Sequence, residues 1–487
     1  MMEKSIDIPG VKTVLPIKQL ASVKPHPRQI AWQQLGFYGF IHFGVNTFTD
    51  EEWGSGKESP EIFNPVQLDA DQWVRAMKAA GMSGLILTCK HHDGFCLWPS
   101  KYTEHSVKNS RWKNGAGDVV REVSRACSRE GLKFGVYLSP WDMHEKKYGE
   151  TQAYNDHFVN QLEELLTNYG EVFCVWFDGA CGVGENGQRQ QYDWERYYQV
   201  IRRLQPNAVI SVCGPDVRWC GNEAGHCRSS EWSVVPALLQ DLEKIQDASQ
   251  KVDDGTFRKK VTSGDEDLGS RKAIAETDDL VWYPAEINTS IRPGWFYHSE
   301  EDGSLMDLQE FKNIYMGSVG GNGCFLLNIP PDRRGLLHEN DVERLRQFGK
   351  LINDWFSENL AEGSFVKASE TLDKEHAAEN ILEQSSGKYW CPGEGIETAD
   401  IIVTLKQKST IDTVVLMEHI AVGQRIEEFE IIIENEGNQK TIYSGTTIGY
   451  KRICTFTRVP AERVVIRIIQ ARWQPTLEFV GFYNSAI

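Results

Sequence analysis

Short apolar runs alternate with amphipathic runs between residues 37 and 330. The apolar runs have the length and composition of buried strands, and they lie at 36–44, 84–95, 132–142, 172–177 and 208–214. The amphipathic runs repeat their apolar positions with helical spacing, at 69–81, 118–131, 152–170 and 192–206. This alternation predicts parallel strands joined by crossover helices. Five consecutive units with wholly apolar strands favour an α/β fold of the closed (β/α)8-like TIM-barrel type over an open sheet.

The pattern changes after residue 340. One amphipathic helix is predicted at 338–359, and alternating polar and apolar positions follow at 399–406, 411–420, 427–436, 462–469 and 477–484. Such alternation, broken by turn residues, predicts an antiparallel β-sandwich. We therefore expect a barrel domain over residues 1–345, then a linker helix and a C-terminal all-β sandwich over 346–487. The charged stretch 240–280 predicts an insertion or a long loop in the first domain.

The composition is that of a soluble globular protein, with 40% hydrophobic and 25% charged residues. A net charge of −17 argues against nucleic acid as a partner, because phosphate binding needs clustered Lys and Arg. No stretch approaches the roughly 20 apolar residues of a membrane span. The N-terminal residues lack the apolar region of a signal peptide. We expect a periplasmic or secreted protein if a signal was removed, and otherwise a cytoplasmic one.

Cysteine usage gives no support for a metal site. The eleven cysteines are an odd number, and several lie inside apolar runs, where cysteine behaves as a small hydrophobe. Cys213, Cys220 and Cys227 repeat every seven residues, but no tight C-x-x-C pair accompanies them, which disfavours zinc. The 15 Trp, 16 Tyr and 21 Phe are more suggestive, because flat rings pack against the C–H faces of sugars, although most of these rings should be core.

Polar side chains follow four consecutive predicted strands, where the reacting groups of a (β/α) barrel lie. In chain order they are His42; His91, His92 and Asp93; Tyr137 and Trp141; Trp176 and Asp178. Asp178 ends an otherwise apolar strand, which suits a nucleophile whose charge is held by neighbouring donors. An Asp before Gly is also common as a simple turn or cap. The co-occurrence at four strand ends favours the catalytic interpretation.

The two adjacent histidines have two interpretations. His91 and His92 could form a metal pair, but neighbours on a strand point to opposite faces, which favours hydrogen bonds to substrate hydroxyls instead. His42, taken alone, could equally be a satisfied core histidine.

If Asp178 is the nucleophile of a retaining glycosidase, a second carboxyl must lie about 5–5.5 Å from it. Glu223 lies in a loop at 217–225, where Trp219 is expected to raise its pKa by desolvation. Glu286 lies among aromatic residues at 281–298 and is the runner-up, and Glu231 is a weaker third candidate. The first two glutamates could instead accept a substrate hydroxyl or pair with an arginine, namely Arg218 or Arg292.

Together these stretches resemble glycoside hydrolase family 29, the retaining α-L-fucosidases. The matching pieces occur in the family's order and are FIHFGVNTF (40–48), EEWG (51–54), KHHDGFCLW (90–98), GVYLSPWD (135–142), VWFDGA (175–180), GNEAG (221–225), INTSIRPGWFYH (287–298) and GGNGCFLLNIPPDRRG (320–335). The resemblance implies an exo-glycosidase that needs no metal and no organic cofactor. Its partners would be fucosylated oligosaccharides or glycoconjugates.

The resemblance also implies roles for individual residues. Asp178 would be the nucleophile that forms a fucosyl-enzyme intermediate. In the subfamily that cuts α-1,3/1,4-linked fucose from Lewis-type branched glycans, the acid/base is the Glu of a GNEAG-like loop, here Glu223. Relatives with relaxed specificity usually lack this loop and vary in the position of their acid/base, which keeps Glu286 as the alternative. The residues expected to contact the sugar are His42, Glu52, Trp53, His91, His92, Tyr137, Trp176 and Trp295.

The family commonly carries a C-terminal sandwich of the discoidin or galactose-binding type, sometimes like a carbohydrate-binding module. Trp390 and Trp473 could form an aromatic platform there, but packing is the better interpretation because Trp is highly buried on average. Three alternatives to a linkage-specific fucosidase are an α-L-fucosidase of broad linkage specificity, a glycosidase for a related sugar such as L-galactose, and a non-catalytic carbohydrate-binding protein on a degenerate barrel.

Overall fold

The structure, a computed structural model, describes residues 17–244, 265–275, 277, 279–384 and 387–485. All statements below concern these residues. Two sequence predictions fall largely outside this part of the chain. They concern the N-terminal segment considered for a signal peptide and the stretch predicted as an insertion, of which residues 1–16 and 245–264 are not described.

Eight strands form a parallel sheet that curls into a nearly closed barrel. The strands before residue 330 are β1 (Phe37–Ile41), β2 (Gly84–Lys90), β3 (Lys133–Leu138), β4 (Cys174–Phe177), β5 (Val209–Val212), β6 (Arg218–Trp219), β7 (Val234–Pro236), β8 (Leu280–Trp282), β9 (Ala285–Ser290) and β10 (Cys324–Asn328). The barrel order is β5-β4-β3-β2-β1-β10-β9-β6, while β7 and β8 form a separate antiparallel pair. A parallel bridge between Ser211 and Val217 spans the remaining gap. The predicted barrel is confirmed.

The helices of the described chain are α1 (Ile17–Ser22), α2 (Pro27–Gln33), α3 (Val45–Thr49), α4 (Ala70–Ala79), α5 (Val119–Glu130), α6 (Thr151–Asn168), α7 (Trp194–Leu204), α8 (Leu308–Ser318) and α9 (Glu339–Trp355). An aspartate caps α4, α5, α7 and α8, and its carboxylate accepts a first-turn N–H in each case: Asp69, Asp118, Asp193 and Asp307. Close packing of α9 on α4 requires Gly349, because a Cβ there would lie 1.8 Å from the Ala79 carbonyl oxygen.

The C-terminal strands are β11 (Phe365–Ala368), β12 (Ala399–Met417), β13 (Ile426–Asn435), β14 (Asn438–Gly445), β15 (Arg452–Ala471) and β16 (Phe479–Tyr483). They pair antiparallel in the order β11-β12-β15-β13-β14, with β16 on β12. β11 lies beside the first half of β12 and β16 beside the second half. A register shift between Thr404 and Ser409 separates the two halves, so long bent strands build both layers around one core. The predicted all-β sandwich is confirmed.

Two details of the sandwich differ from the sequence prediction. The runs at 399–406 and 411–420 belong to one strand, because backbone pairing resumes across the polar residues between them. β14 was missed because its residues are mostly exposed and carry no apolar alternation. Trp390 is fully buried and donates to the Glu370 carbonyl oxygen over 3.0 Å, so it packs in the core and does not form a platform.

The sandwich packs directly against the barrel. Val415, Met417 and Phe479 meet Tyr315 and Met316 of α8. The indole N–H of Trp355, at the end of α9, donates to Thr413 Oγ1 over 3.0 Å. The predicted domain boundary at 345 therefore falls inside a helix that contacts both parts. None of the described helices combines the length and the apolar content that a membrane crossing requires.

Candidate active site

A cavity of about 190 Å³ opens at the carboxyl ends of the barrel strands. Its walls are formed by Phe40, His42, Glu52, Trp53, His91, His92, Trp176, Asp178, Ala180, Glu223, Asn288 and Trp295. Barrel closure thus brings together most of the residues that the sequence singled out. The candidates that do not line the cavity are Asp93, Tyr137, Trp141, Glu231 and Glu286.

The Asp178 carboxylate directly follows β4 and reaches the cavity with 26% of its side chain exposed. The Ala180 N–H donates to Oδ1 over 2.7 Å, and the Tyr137 hydroxyl donates to Oδ2 over 3.2 Å. His92 Nε2 lies 4.0 Å from the same Oδ2. Donors on both oxygens fix the orientation of the carboxylate while one face stays open to the cavity.

Tyr137 lies behind the cavity wall and is fully buried. Its ring stacks on Trp176 at 5.1 Å between centroids, with an angle of 25° between the planes. Burial and the nearby negative charge of Asp178 raise the pKa of the Tyr137 phenol well above its ordinary value. The phenol therefore stays protonated and acts as a hydrogen-bond donor to Asp178.

The surroundings of His92 determine its tautomer. Burial lowers the pKa of His92, so the ring is neutral near pH 7. The Ser139 hydroxyl donates to the Trp141 carbonyl oxygen and must accept from His92 Nδ1, 2.7 Å away. This arrangement leaves the lone pair on His92 Nε2, on the side of Asp178, ready to accept a hydroxyl proton.

The same argument applies to His42, whose pKa burial lowers to about 4. The Asn328 amide group donates to Ser290 Oγ and to the Trp295 carbonyl oxygen, which fixes its own orientation. Asn328 Oδ1 therefore accepts from His42 Nδ1 over 2.8 Å. His42 Nε2 is left as a second hydrogen-bond acceptor in the site.

His91 and His92 both line the cavity, which differs from the expected alternation. β2 ends at Lys90, so the two-residue period of a strand no longer applies to them. Their ring centroids are 4.2 Å apart. Burial and the neighbouring histidines lower the pKa of His91 well below its ordinary value.

The described residues contain no group of three or more His, Cys, Asp or Glu side chains placed to hold a metal ion.

Glu223 projects from the loop after β6 on another wall of the cavity. The Trp295 indole N–H donates to its Oε2 over 3.2 Å. Partial desolvation raises the pKa of Glu223, and the negative charges of Asp178 and Glu52 raise it further. The hydrogen bond from Trp295 lowers this pKa by a smaller amount than desolvation raises it. The ring bonded to Glu223 is thus Trp295, whereas Trp219 donates to Asn288 Oδ1 over 2.9 Å.

Glu286 lies in the barrel interior on β9 and has no exposed surface. It accepts from the Trp176 indole N–H over 2.7 Å and from the Tyr38 hydroxyl. Burial raises its pKa to about 7. Neither candidate arginine pairs with Glu286 or Glu223, because Arg218 binds Glu231 and Arg292 binds Asp341.

Two loops, which contain Glu52 and Trp295, are hydrogen-bonded to each other and form the mouth of the cavity. The Glu52 carboxylate accepts the backbone N–H groups of Trp295 and Phe296, each over 3.1 Å. It also lies 2.8 Å from His298 Nε2. Trp53 is 54% exposed beside these contacts and meets Trp141 edge-on.

Comparison with known proteins agrees with this architecture. Residues 28–358 match the sequence model of the α-L-fucosidase family. Alpha-L-fucosidase 1 of Arabidopsis thaliana is 40% identical over 97% of this chain and 92% of its own length. A glycoside hydrolase family 29 fucosidase from Ruminococcus gnavus, solved with fucose, is 31% identical, with a TM-score of 0.83 over 96% of this chain and 95% of its own.

A third relative, a glycoside hydrolase 29 family member from an unknown rumen bacterium, is 37% identical. It has a TM-score of 0.77 and covers 96% of this chain and 78% of its own. The chain belongs to glycoside hydrolase family 29, the α-L-fucosidases. It is therefore a glycosidase and not a non-catalytic binding protein.

The sequence analysis missed several parts of this α-L-fucosidase site. Phe40 and Asn288 line the cavity, and Ser139 and Asn328 orient the two histidines. Asn288 lies within β9 and Asn328 ends β10, two strands that the hydrophobic pattern did not resolve. The signal available for them was their place inside the matching pieces at 287–298 and 320–335. Phe40 was indistinguishable from core.

The raised pKa of Glu286 predicts a pH-dependent stability difference in this α-L-fucosidase. Its pKa is about 7 in the fold against 4.5 in an exposed chain, so it stabilises the fold fully below pH 4.5. This contribution is lost as the pH rises through 7. Glu286→Gln carries no such charge. Denaturant unfolding at pH 5 and at pH 8 gives the free energy of unfolding of both proteins. Between these pH values, the free energy of unfolding of the variant should rise relative to that of the parent by on the order of 2 kcal/mol. A pH-independent difference would contradict the assignment.

Proposed function

We propose that this α-L-fucosidase releases terminal fucose with retention of configuration, from α-1,3 and α-1,4 linkages in branched, Lewis-type glycans. The observation that carries the proposal is that Asp178 and Glu223 line one cavity in different electrostatic settings. Donors on both oxygens orient the Asp178 side chain toward the cavity. The raised pKa of Glu223 favours its protonated form. One carboxylate and one carboxylic acid are what a retaining glycosidase needs.

In the first step, Asp178 attacks the anomeric carbon while Glu223 transfers its proton to the departing glycosidic oxygen. The carbon–oxygen bond to the aglycone breaks, and a bond from the anomeric carbon to Asp178 forms. In the second step, Glu223 is a carboxylate and takes a proton from water, which displaces Asp178 from the sugar. Two inversions at the same carbon give net retention.

The cavity walls fit the chemistry of fucose. Fucose is neutral and has three ring hydroxyls and one methyl group. The Nε2 atoms of His42 and His92 accept hydroxyl protons. Phe40 and Trp295 offer apolar surface for the methyl group. An analogue with a hydroxyl on that methyl, such as an L-galactoside, should bind less well by only about 1–3 kcal/mol, because apolar pockets discriminate weakly.

The linkage proposal rests on the Glu223 loop. Residues 221–225 read GNEAG, which resembles the α-1,3/1,4-specific subfamily, and relatives with relaxed specificity usually lack this loop. Glu286 does not contact the cavity, because its carboxyl accepts from the Trp176 indole N–H in the barrel interior and has no exposed surface. This supports Glu223 over Glu286 as the acid/base.

Asp178→Ala should lower kcat/KM on an aryl α-L-fucoside by about three to five orders of magnitude, since it removes the nucleophile. Circular dichroism and the thermal midpoint should stay near those of the parent, because the side chain lies at the cavity surface. A 2-fluoro-fucosyl reagent should label the Asp178 peptide in the parent and nothing in the variant. An active variant, or a label on another residue, would overturn the assignment.

Glu223→Gln should lose far more activity on glycans than on aryl fucosides with good leaving groups, because only poor leaving groups need a proton. Azide should partly restore the activity of Glu223→Ala on the aryl substrate.

The acid role of Glu223 also predicts a pH profile. Glu223 must be protonated, so the raised pKa extends parent activity toward neutral pH, and kcat/KM then falls at higher pH. Glu223→Gln should lack this alkaline fall. Glu286→Gln is the matched control; if it shows these effects instead, the two roles are exchanged.

The linkage proposal is tested by a product profile. The enzyme should release fucose from Lewis-type trisaccharides at least ~100-fold faster than from 2'-fucosyllactose, which corresponds to about 2.7 kcal/mol of discrimination. Fucose release can be followed by ion chromatography at equal substrate concentrations. Equal rates would favour an α-L-fucosidase of broad linkage specificity.

A further inference from the structure

The loop that carries Glu223 is followed by a segment, residues 229–233, that is hydrogen-bonded to the C-terminal sandwich. The backbone N–H of Ser233 donates to Gln424 Oε1 over 2.7 Å in a buried setting. Arg452 Nη1 donates to the Ser229 carbonyl oxygen over 2.9 Å. The Ser230 hydroxyl bonds the Thr446 hydroxyl. Three sandwich side chains thus hold three residues of this segment, which we call the anchor segment.

Two further contacts tie the anchor segment to the sandwich. Asn322 donates to the Glu231 carbonyl oxygen over 2.8 Å and accepts from the Tyr450 N–H over 2.7 Å. The buried guanidinium of Arg472 lies 4.2 Å from the centre of the Trp232 ring. The ion pair of Arg472 with Glu427, at 2.9 Å, fixes the guanidinium that Trp232 packs against.

The loop between β6 and the anchor segment is internally braced. Asn222 Oδ1 accepts the N–H groups of Ala224 and His226, over 3.1 and 2.9 Å. Asn222 Nδ2 donates to the His226 carbonyl oxygen over 3.1 Å. A loop closed on itself in this way moves as a unit, so the position of Glu223 depends on where the two ends of the loop are fixed.

The barrel fixes the first end and also contacts the anchor segment, because Arg218 of β6 pairs with Glu231 and donates to the Trp232 carbonyl oxygen over 3.0 Å. β6 has only two residues, and beyond it the Cys220 N–H donates to the Glu286 carbonyl oxygen over 3.0 Å. The second end is the anchor segment, on which the sandwich contacts converge. The sandwich therefore shares with the barrel the contacts that hold the segment following the Glu223 loop.

We propose that the C-terminal sandwich is a positioning element for the acid/base, and that Gln424, Thr446 and Arg452 hold the anchor segment so that Glu223 meets the glycosidic oxygen. The inference rests on the role of Glu223 proposed above. It gives the sandwich a catalytic purpose that does not depend on glycan binding. Misplacement of a reacting group by about 1 Å costs on the order of 10²-fold in rate, so small shifts of the anchor segment should be measurable.

The test compares anchor variants with a control elsewhere in the same domain interface. Thr446→Val and Arg452→Gln remove contacts near the surface, and Gln424→Leu leaves the Ser233 N–H unpaired. Thr413→Val is the matched control, because it removes the hydrogen bond from Trp355 in α9 and touches no residue of the loop. Each variant is measured on a Lewis-type trisaccharide and on an aryl fucoside with a good leaving group, together with its thermal midpoint.

The anchor variants should lose about 10-fold or more in kcat/KM on the trisaccharide and less than about 3-fold on the aryl fucoside. Thr413→Val should leave the ratio of the two substrates unchanged. If Gln424→Leu does not fold, the two surface variants carry the test. If all variants change both substrates equally, the sandwich only stabilises the fold and the inference is wrong. If Glu223→Gln itself shows no dependence on the leaving group, the proposed acid/base role fails instead.

Discussion

The structure depends on the near-closure of one parallel sheet. Strands that are far apart in the chain end at the same mouth only because β5 and β6 almost meet and β1 pairs with β10. Each strand can then be apolar along its length and polar where it ends, since water reaches only the ends. The cavity that receives the sugar is a direct consequence of this closure.

Within that cavity, burial shifts the pKa values of three histidines and of Glu223. His42, His91 and His92 have lowered pKa values because little water reaches them, so they serve as neutral hydrogen-bonding groups. Glu223 has a raised pKa, whereas Asp178 keeps donors on both oxygens. Two carboxyl groups at one cavity thus lie in different surroundings.

Much of the fold and site could be predicted from the sequence, and the failures have physical causes. Asp178 and Glu223 were singled out because a carboxyl at the end of an apolar strand, or in a loop among aromatics, costs free energy unless donors hold it, and both side chains line the cavity. The relation of His91 to His92 was misjudged because β2 ends at Lys90, before either histidine, so the alternation rule does not apply to them. Asn328 and Ser139 were missed because their importance lies in the hydrogen bonds they make to histidines far away in the chain.

The sequence by itself determined the alternation of strands and helices, the β-rich C-terminal part and the residues that match the α-L-fucosidases, because hydrophobic period and local motifs are written in consecutive residues. Only the tertiary structure decided that Glu286 is enclosed in the barrel while Glu223 reaches the cavity. It also decided that the sandwich touches the segment beside Glu223. Burial and contact between distant residues depend on how the chain closes in space, which no local pattern records.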